Sequence, residues 1–426
     1  MLATLFVLVT LLMFVGMPVA LSMGLSAFVV VLLKGETNPL VMAQRMFVGV
    51  DSLPLLAIPY FILAGALMEE GGISLRLVRF ASTIVGHIRG GLGMVTVVAS
   101  MIFAGISGSA AADTSAIGSI MMPAMIRRGY KRGFVVVLQA SAGTIGPIIP
   151  PSILMIIYGS MTGLSIGQLF LAGFIPGVLV GCSLMGLTYY YARRDGYEGE
   201  PRATWRQTRT ATFEALPAMA LPIVIIGGIL GGIFTATEAG VTAVVYAVLV
   251  GFFVYRELKL KELPRILTSA AMTSFGLLFI VANAAMFGWV LAREEFPRRT
   301  VGFLTSLTAD PNIILLLVIV FLLLVGCFVE TISAMIILVP MLFATGAAYH
   351  FNRIHFAMVI VILLLIGTIT PPVGILLYLA ASMTKTPISE TLRYIFPFVI
   401  AMLLVVILIA YVPEVSLFVP NLVFGK

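Results

Sequence analysis

Long apolar stretches separated by short charged connectors run through the whole chain of 426 residues. A membrane-spanning helix needs about 20 mostly apolar residues, and tilted or interrupted helices widen that range, so the pattern predicts roughly eleven to thirteen membrane-embedded helical segments. In lipid, the backbone polar groups of a spanning segment have to be satisfied within a helix. The pattern therefore predicts an all-α polytopic membrane protein.

The composition supports this interpretation, because the chain has too little polar surface for a soluble fold of its size. Hydrophobic residues make up 61% of the chain, charged residues make up 10%, and the mean hydropathy is +1.15. Residues 1–33 contain no charged side chain and lack the basic start of a secretory signal. We expect a retained first membrane span there.

The net charge of +7 arises in short connectors between apolar stretches rather than in one basic surface. Three such connectors are residues 127–132, 193–209 and 256–265. Basic residues in short loops are typical of the cytoplasmic side, so we place all three connectors in the cytoplasm and expect no nucleic-acid partner.

Two acid-threonine pairs lie in otherwise apolar stretches, and each is followed ten residues after its acid by a proline and later by a Pro-Pro pair. The first half contains Asp113-Thr114, Pro123 and Pro150-Pro151; the second half contains Glu330-Thr331, Pro340 and Pro371-Pro372. The longest polar stretch separates these halves. We therefore predict a first repeat at 1–191, a cytoplasmic linker at 192–212 and a second repeat at 213–426.

Each half also contains interrupted apolar stretches. If the first connector is cytoplasmic, residues 91–126, which break at Gly105–Gly108, should enter and leave on that side as a re-entrant helical hairpin. An inverted repeat would insert the counterpart, residues 312–348, from the opposite side. The Pro-Pro pairs predict two broken helices, about 133–158 and 355–383, because proline removes a hydrogen-bond donor and clashes with the preceding turn. Paired interruptions of this kind indicate a secondary transporter.

Interrupted backbone inside a membrane leaves polar groups that cost several kcal/mol each unless protein, water or an ion satisfies them. Hard cations take oxygen ligands, so we expect a sodium ion at each break. The expected oxygen ligands are the carbonyls from Gly146 to Pro150 with the hydroxyls of Ser107 and Ser109 for the first ion, and the carbonyls from Gly367 to Thr370 with Thr331 or Ser333 for the second.

Helix N-termini at the hairpin tips would direct partial positive charge inward, which favours an anionic substrate group such as a carboxylate. Asp113 and Glu330 need not touch that substrate. We expect each acid to support the site by capping the second arm of its hairpin, by orienting nearby donors or by adding to the field around a cation.

Two other function classes compete with this interpretation. The run Gly105-Ile-Ser107-Gly108 also fits the nucleophile pattern of an intramembrane serine protease. Such a serine needs a base within hydrogen-bond reach, and His87, His350 and His355 lie near span ends rather than at span centres. A passive channel is the other alternative, although paired breaks suit alternating access better. The chain has no nucleotide-binding pattern for ATP-driven pumping.

Further motifs occur in a fixed order along almost the whole chain. They are Gly16–Ala20, Ser52–Pro59, Phe61–Gly65, Ser107–Asp113, Gly146–Ser152, Ala172–Gly177, Thr237–Gly240 and Thr370–Gly374. With these motifs the chain closely resembles the large membrane subunit of tripartite ATP-independent periplasmic (TRAP) transporters, the DctM-like family.

The resemblance implies a multi-pass symporter of the bacterial inner membrane that uses sodium rather than ATP. It implies two partners: a soluble periplasmic protein that captures an organic acid anion, and a small four-helix membrane subunit. It also implies an elevator mechanism, with a scaffold in the lipid bilayer and a moving transport domain that contains both hairpins and both broken helices. Family substrates include C4-dicarboxylates and sialic acid, and residues 223–229 and 253–258 are similar to those of sialic-acid members.

The resemblance carries the family's sites over to this sequence at the level of motifs. The implied substrate-binding residues are Ser107, Ser109, Ser152, Thr370 and Pro371; the implied sodium-binding residues are Ser107, Ser109, Gly146, Pro150, Glu330, Thr331, Gly367 and Thr370; and the implied supporting residues are Asp113, Pro151, Ser333, Pro372 and Gly374. Many relatives carry aspartate where this chain has Glu330, so the oxygen that meets the second ion is expected to differ.

Overall fold

The computed structural model describes residues 1–35 and 38–425, and these residues form helices and no β-strand. Within them, eight helices are long and apolar enough to cross a membrane, as judged by length and composition. Eight further apolar helices are 10–17 residues long. The prediction of an all-α polytopic protein is confirmed.

Twenty α-helices follow one another in the described ranges. The first ten are α1 (Leu2–Phe14), α2 (Val19–Lys34), α3 (Leu40–Val50), α4 (Ala57–Glu70), α5 (Ile73–Val85), α6 (Gly91–Ser107), α7 (Ala110–Arg127), α8 (Arg132–Gly143), α9 (Ile153–Thr162) and α10 (Ile166–Asp195). The others are α11 (Trp205–Leu230), α12 (Ala236–Leu249), α13 (Leu263–Arg293), α14 (Phe296–Leu307), α15 (Pro311–Phe328), α16 (Thr331–Ala348), α17 (Arg353–Gly367), α18 (Ile375–Thr384), α19 (Leu392–Tyr411) and α20 (Glu414–Phe424). Short 3-10 helices occupy Leu53–Leu56 and Ile388–Glu390, and a π-helical turn covers Val250–Val254.

The N-terminal apolar stretch forms two packed helices, α1 and α2, so the expectation of a single first span is wrong. The chain turns between them at Gly16, whose φ is +89°. Pro18, which has no backbone N–H to continue a helix, precedes α2 directly. With 13 residues, α1 is about 20 Å long and too short to cross the hydrocarbon core alone.

One group of helices packs around α13. The helices α2, α3 and α4 lie along it, α12 packs against α4, and α11 packs against α5 and α12. Glycines allow these close approaches, because a Cβ on Gly24 would overlap Asn283 and a Cβ on Gly49 would overlap Ala285. Small residues at helix contacts let membrane helices pack tightly in the absence of a hydrophobic driving force.

The second group combines elements from both halves of the sequence. The helix α7 packs against α6 and α8, but also against α18 from the second half. In the same manner α16 packs against α17 and against α9 from the first half. The second helix of each predicted hairpin is therefore held by the helix that follows the other half's Pro-Pro break.

Each predicted hairpin begins and ends at neighbouring points in the structure. For α6 and α7, the Tyr197 carbonyl accepts a hydrogen bond from Gly90 N (3.0 Å), and the Tyr197 hydroxyl accepts one from Lys131 N (3.1 Å). For α15 and α16, the Tyr349 hydroxyl donates to the carbonyl of Thr308 (2.8 Å). This geometry supports two helical pairs that fold back on themselves, while their insertion from opposite sides of a membrane stays a prediction.

The structure gathers the three basic connectors at one end of the molecule. Ion pairs and a hydrogen bond link them through α5: Lys131–Asp195 (3.1 Å), Arg128–Glu200 (3.5 Å), Ser82–Glu200 (3.1 Å), Arg79–Glu214 (3.8 Å), Arg76–Glu257 (2.7 Å) and Glu70–Arg265 (2.6 Å). The non-helical part of the predicted linker is only residues 196–204, because α10 extends to Asp195 and α11 begins at Trp205. The connectors thus share one side, as positive-inside topology requires.

Candidate functional site

A cavity of about 240 Å³ lies where the predicted hairpin tips and Pro-Pro breaks meet. Its walls are Gly108–Ala111 and Glu330–Ile332 from the tips, Pro147, Ile153–Leu154, Leu365, Thr368 and Ile375–Leu376 from the breaks and the helices after them, and Thr273 and Leu277 from α13. The helices α7, α9, α16 and α18 all begin at this cavity. Four helix N-termini therefore converge on one space.

The first tip turns at Gly108, which has a φ of +60° and ends α6. A Cβ at this position would overlap the carbonyl of Pro151, so only glycine fits against the break. The Gly108 carbonyl accepts a hydrogen bond from Ile153 N (3.4 Å), and the Ser109 hydroxyl caps α7 by accepting one from Ala112 N (3.5 Å). The tip and the first broken helix are joined directly through backbone.

Behind this tip lies a buried cluster of oxygen atoms. The Ser107 hydroxyl donates to the Asp113 carboxylate and accepts a hydrogen bond from Ser109 N (3.2 Å). The second carboxylate oxygen of Asp113 and the hydroxyl of Thr114 are buried and have no hydrogen-bond partner in the described part of the chain. Asp113 lies against the backbone of Gly146, where a Cβ would come within 2.5 Å of Oδ2.

The first break is closed by Ser152, which is fully buried and caps α9. Its hydroxyl donates to the Pro147 carbonyl (2.5 Å) and accepts a hydrogen bond from Met155 N (3.3 Å). Ser152 lies outside the cavity walls, with its hydroxyl engaged by the break itself. Its substrate contact stays a prediction.

At the second tip, Glu330 is the N-cap of α16. Its carboxylate accepts hydrogen bonds from Ile332 N (3.0 Å), Ser333 N (2.9 Å) and the Ser333 hydroxyl (3.1 Å). A carboxylate at this position satisfies the free N–H groups of the first turn and interacts favourably with the helix dipole. The adjacent Thr331 hydroxyl is buried and has no hydrogen-bond partner within the described residues.

Backbone hydrogen bonds fix the position of the second break. Val373 N donates to the Cys327 carbonyl (3.2 Å), which joins the break to the second tip, and Leu376 N donates to the Thr368 carbonyl (3.0 Å). The Thr370 hydroxyl donates to the Ile366 carbonyl (2.8 Å). Gly367 lies against Gly326 of α15, so the second break and the second tip approach within backbone contact.

Three of the residues predicted for the site, Ser109, Glu330 and Thr331, line the cavity. The remaining predicted residues lie around it rather than in its walls: Ser107, Asp113, Gly146, Pro150, Pro151, Ser152, Ser333, Gly367, Thr370, Pro371, Pro372 and Gly374. Sequence reasoning missed Thr273 and Leu277 of α13. The cluster of polar residues Thr268, Ser269, Thr273 and Ser274 in the first half of this mostly apolar helix was the available signal.

The environment of Ser107 differs from that of a protease nucleophile, because its hydroxyl pairs with the Asp113 carboxylate rather than with a histidine. His355 is buried elsewhere and bonds to the Ser416 hydroxyl (2.9 Å) and the Ala410 carbonyl (3.1 Å). Among residues 1–35 and 38–425 there is no group of three or more histidine, cysteine or acidic side chains that could hold a metal ion. The available ligands are hydroxyl, carboxylate and backbone oxygens, which suit a hard cation.

Known proteins are similar to this chain over nearly its full length. The family described as "Tripartite ATP-independent periplasmic transporter, DctM component" matches residues 6–415. The C4-dicarboxylate TRAP transporter large permease protein DctM of Pseudomonas aeruginosa is 40% identical over 400 residues, which cover 94% of this chain and 94% of that protein. The sialic acid TRAP transporter large permease protein SiaM of Vibrio cholerae is 36% identical over 414 residues, which cover 97% of each.

The fold is also similar to a solved transporter structure, that of YdaH from Alcanivorax borkumensis. The TM-score is 0.63 at 14% sequence identity, with 87% of this chain and 86% of that chain covered. At this identity the likeness concerns the fold alone. This chain is a multi-pass protein of the bacterial inner membrane and a transporter component rather than an enzyme, and it belongs to the DctM family of large permeases of tripartite ATP-independent periplasmic transporters.

Proposed function

We propose that this permease carries out sodium-coupled uptake of an organic acid anion that a periplasmic binding protein delivers. The observation that carries this proposal is the convergence of four helix N-termini, those of α7, α9, α16 and α18, on the cavity. Each helix N-terminus carries roughly half a positive charge and free N–H groups. Such a space favours a carboxylate over a cation.

The Glu330 carboxylate does not cancel the preference of the cavity for an anion, because its oxygens already accept hydrogen bonds. Both of its oxygens accept hydrogen bonds from the first turn of α16. Its charge is therefore compensated by the end of that helix, while the caps of the other three helices are neutral: Ser109 for α7, Ser152 for α9 and Gly374 for α18. We infer that Glu330 shapes the site rather than contacting the substrate.

The first sodium ion would bind behind the first tip. Ser107 and Asp113 supply oxygen atoms there, and the carbonyls from Gly146 to Pro150 lie in the adjacent break. The unpartnered oxygens of Asp113 and Thr114 support this assignment, because buried polar atoms of native proteins almost always have a partner. A cation at this position would provide one.

The second sodium ion would bind at the second tip. The Thr331 hydroxyl is buried without a hydrogen-bond partner in the described ranges, and Gly367 and Thr370 belong to the adjacent break. Both ion sites lie next to elements that line the cavity. We infer that sodium binding fixes the tips and thereby preorganises the helix N-termini for the substrate.

The movement that we propose is an elevator. The tips and breaks of both halves pack together as one body, and the cavity is closed on another side by Thr273 and Leu277 of α13. In this mechanism the combined body carries substrate and sodium past α13, while α2, α3, α4 and α12 form the scaffold with it. During this movement the cavity would open first to one side of the membrane and then to the other, as the two predicted repeats exchange roles.

The substrate class is drawn from the relatives that cover nearly the whole chain. One of them is named for C4-dicarboxylates and another for sialic acid, at 40% and 36% identity. Both substrate classes carry carboxylates, which fits the helix N-termini of the cavity. We propose an organic acid of either class, a periplasmic binding protein that supplies it, and a small four-helix membrane subunit that completes the transporter.

The deciding experiment is organic-acid uptake into proteoliposomes that contain this chain with its small subunit. An inward sodium gradient is applied or omitted, and the binding protein is present or absent. We expect accumulation above the external concentration only when both sodium and the binding protein are supplied. Uptake that equilibrates without a sodium gradient would identify a passive channel, and uptake that needs no binding protein would remove the tripartite assignment.

A further inference from the structure

Two adjoining cavities lie on the face that α5, the inter-repeat linker and α11 form, at the end where the basic connectors gather. Their volumes are about 530 and 520 Å³, and both are lined by Arg79, Thr210 and Glu214. Arg206 lines the first cavity, and Arg76 and Arg209 line the second. Together these cavities form a continuous groove, which we call the arginine groove.

The arginines of this groove are not equally compensated. Arg76 pairs with Glu257 at 2.7 Å, and Arg79 lies 3.8 Å from Glu214. Arg206 and Arg209 have no ion pair or hydrogen bond from their side chains to any residue in the ranges 1–35 and 38–425. Two guanidinium groups thus face the groove with their donors available to an anion.

The level of the groove relative to a bilayer follows from α11 itself. Trp205 and Phe213 are 80% and 66% exposed, and Arg209 lies between them at four-residue spacing on the same face of the helix. From residue 215 to Leu230 the helix carries no charge. The membrane surface therefore crosses α11 near Glu214, with Arg209 at headgroup depth and Phe213 among the acyl chains.

Along the second cavity, the wall changes from polar to apolar in the direction of the membrane interior. The arginines form its polar end, while Phe213, Pro217 and Val254 form its apolar end. Val254 is 56% exposed, so an apolar strip continues outward from the groove. A ligand that fits both ends has an anionic group joined to a hydrocarbon chain.

We propose that the arginine groove binds the phosphate of an anionic phospholipid. Arg206 and Arg209 would hold the phosphate through their planar forks of N–H donors, which suit phosphate oxygens. One acyl chain would lie against Phe213 and Val254. The groove would thereby fix the linker and α11 to a lipid of the membrane surface near α5.

The test uses Phe213→Trp as a local reporter, because position 213 lies at the apolar end of the groove. The chain contains two tryptophans, Trp205 and Trp289, so a Trp205→Phe and Trp289→Phe background leaves the fluorescence of position 213 alone. The purified full-length protein in detergent is titrated with phosphatidylglycerol or with phosphatidylcholine, each with brominated acyl chains that quench tryptophan. Glycerol 3-phosphate and inorganic phosphate are added as competitors to separate a lipid site from a site for a soluble phosphate.

We expect half-maximal quenching at about a fivefold lower concentration of phosphatidylglycerol than of phosphatidylcholine, the effect of roughly one surface charge contact. Arg209→Gln should abolish this preference. The matched control is Arg202→Gln, which removes one exposed arginine nearby that lines neither cavity. If Arg209→Gln does not purify as a monodisperse protein, Arg206→Gln replaces it with the same expectation.

Equal quenching by the two lipids would overturn the proposal. Equal loss of preference in Arg202→Gln and Arg209→Gln would also overturn it, because diffuse charge rather than the groove would then select the lipid. Displacement of the brominated phosphatidylglycerol by millimolar glycerol 3-phosphate would assign the groove to a soluble phosphate ester instead of a lipid. Failure of both soluble competitors, together with a selective loss in Arg209→Gln, is the supporting outcome.

Discussion

Gly367, the last residue of α17, lies directly against the backbone of Gly326 in α15. An ideal Cβ on Gly326 would come within 3.0 Å of the Gly367 Cα, and one on Gly367 would overlap the Gly326 backbone. The contact lies just before the second tip and at the start of the second break. It therefore sets the position of the tip relative to the break, and both glycines serve this close packing.

Gly367→Ala should force α15 and α17 apart. Overpacking of a close contact typically costs about 1–3 kcal/mol, so we expect a lower free energy of unfolding and slower uptake. Thermal unfolding of the purified protein and uptake into proteoliposomes measure the two effects. Gly186→Ala in α10 is the control, because a Cβ there meets no atom within 4 Å. Matching unfolding temperatures for the two variants would refute the packing argument.

Asp113→Asn tests the first sodium site. Asparagine keeps an oxygen that can accept a hydrogen bond from the Ser107 hydroxyl, so we expect the fold to be retained. The ion site, however, loses a full negative charge. The sodium concentration for half-maximal uptake should rise by about 10- to 100-fold, because interactions with a charged oxygen are worth roughly 1.5–3 kcal/mol.

The control for this variant is Asp310→Asn. Asp310 is exposed and caps the N-terminal end of α15, the end away from the second tip, by accepting a hydrogen bond from Asn312 N (2.8 Å). Asparagine caps helices about as well as aspartate, so the change should leave stability and sodium dependence unaltered. If the sodium curve of Asp113→Asn overlays that of the parent, Asp113 has no part in ion binding.

Asp113 and Glu330 show which parts of the site could be predicted from the sequence. Their neighbourhoods look alike, and both were expected to support the site, yet they act differently. Ser109 already caps α7, so Asp113 falls one turn inside that helix and its side chain contacts Ser107. No serine or threonine stands in the corresponding place before Glu330, so this acid becomes the cap of α16 itself. The presence or absence of an earlier capping residue was the signal that separates the two roles.

Other features depend on contacts that no local pattern encodes. The helix break at Gly108 follows from the ease with which glycine adopts a positive φ, and the breaks at the Pro-Pro pairs follow from the missing N–H of proline. The packing of α18 against α7, and of α9 against α16, joins residues more than 160 positions apart and depends on the tertiary fold. The sequence predicts a cytoplasmic linker at 192–212, and no local pattern indicates that Tyr197 within it forms hydrogen bonds with Gly90 and Lys131 in two separate loops.

Glu330 offers a graded test of capping. Glu330→Ala removes all three hydrogen bonds of the cap and should lower the free energy of unfolding by about 1–2 kcal/mol. Glu330→Gln keeps one carbonyl oxygen and should cost less. Thermal unfolding ranks the variants, and equal stability of Glu330→Ala and the parent would show that the cap contributes nothing measurable.

Uptake by Glu330→Gln separates capping from a role in sodium binding. A pure cap predicts a reduced maximal rate with the sodium curve unchanged, since the tip would be less well ordered. A contribution to the second ion predicts a shift of that curve to higher sodium. We expect the shift, because Glu330 lies beside the unpartnered hydroxyl of Thr331.

The linker is fixed by an aromatic stack. The rings of Tyr130 and Tyr197 are stacked with centroids 4.0 Å apart, and the Tyr197 hydroxyl accepts a hydrogen bond from Lys131 N. Burial raises the pKa of Tyr130 to about 12 from its ordinary value of 10.0. Tyr130 is thus held neutral in the folded protein at pH values where an unfolded chain would already release its proton.

This pKa predicts a stability loss at alkaline pH. The folded value exceeds the unfolded one, so the contribution of neutral Tyr130 is fully present below pH 10 and is lost as the pH rises from 10 to about 12. Over that range, the unfolding temperature of the parent should fall more steeply than that of Tyr130→Phe, which cannot ionise. Tyr378→Phe, at a tyrosine that is 50% exposed, is the control and should follow the parent. Parallel curves for the parent and Tyr130→Phe would mean that the linker stack does not depend on a neutral Tyr130.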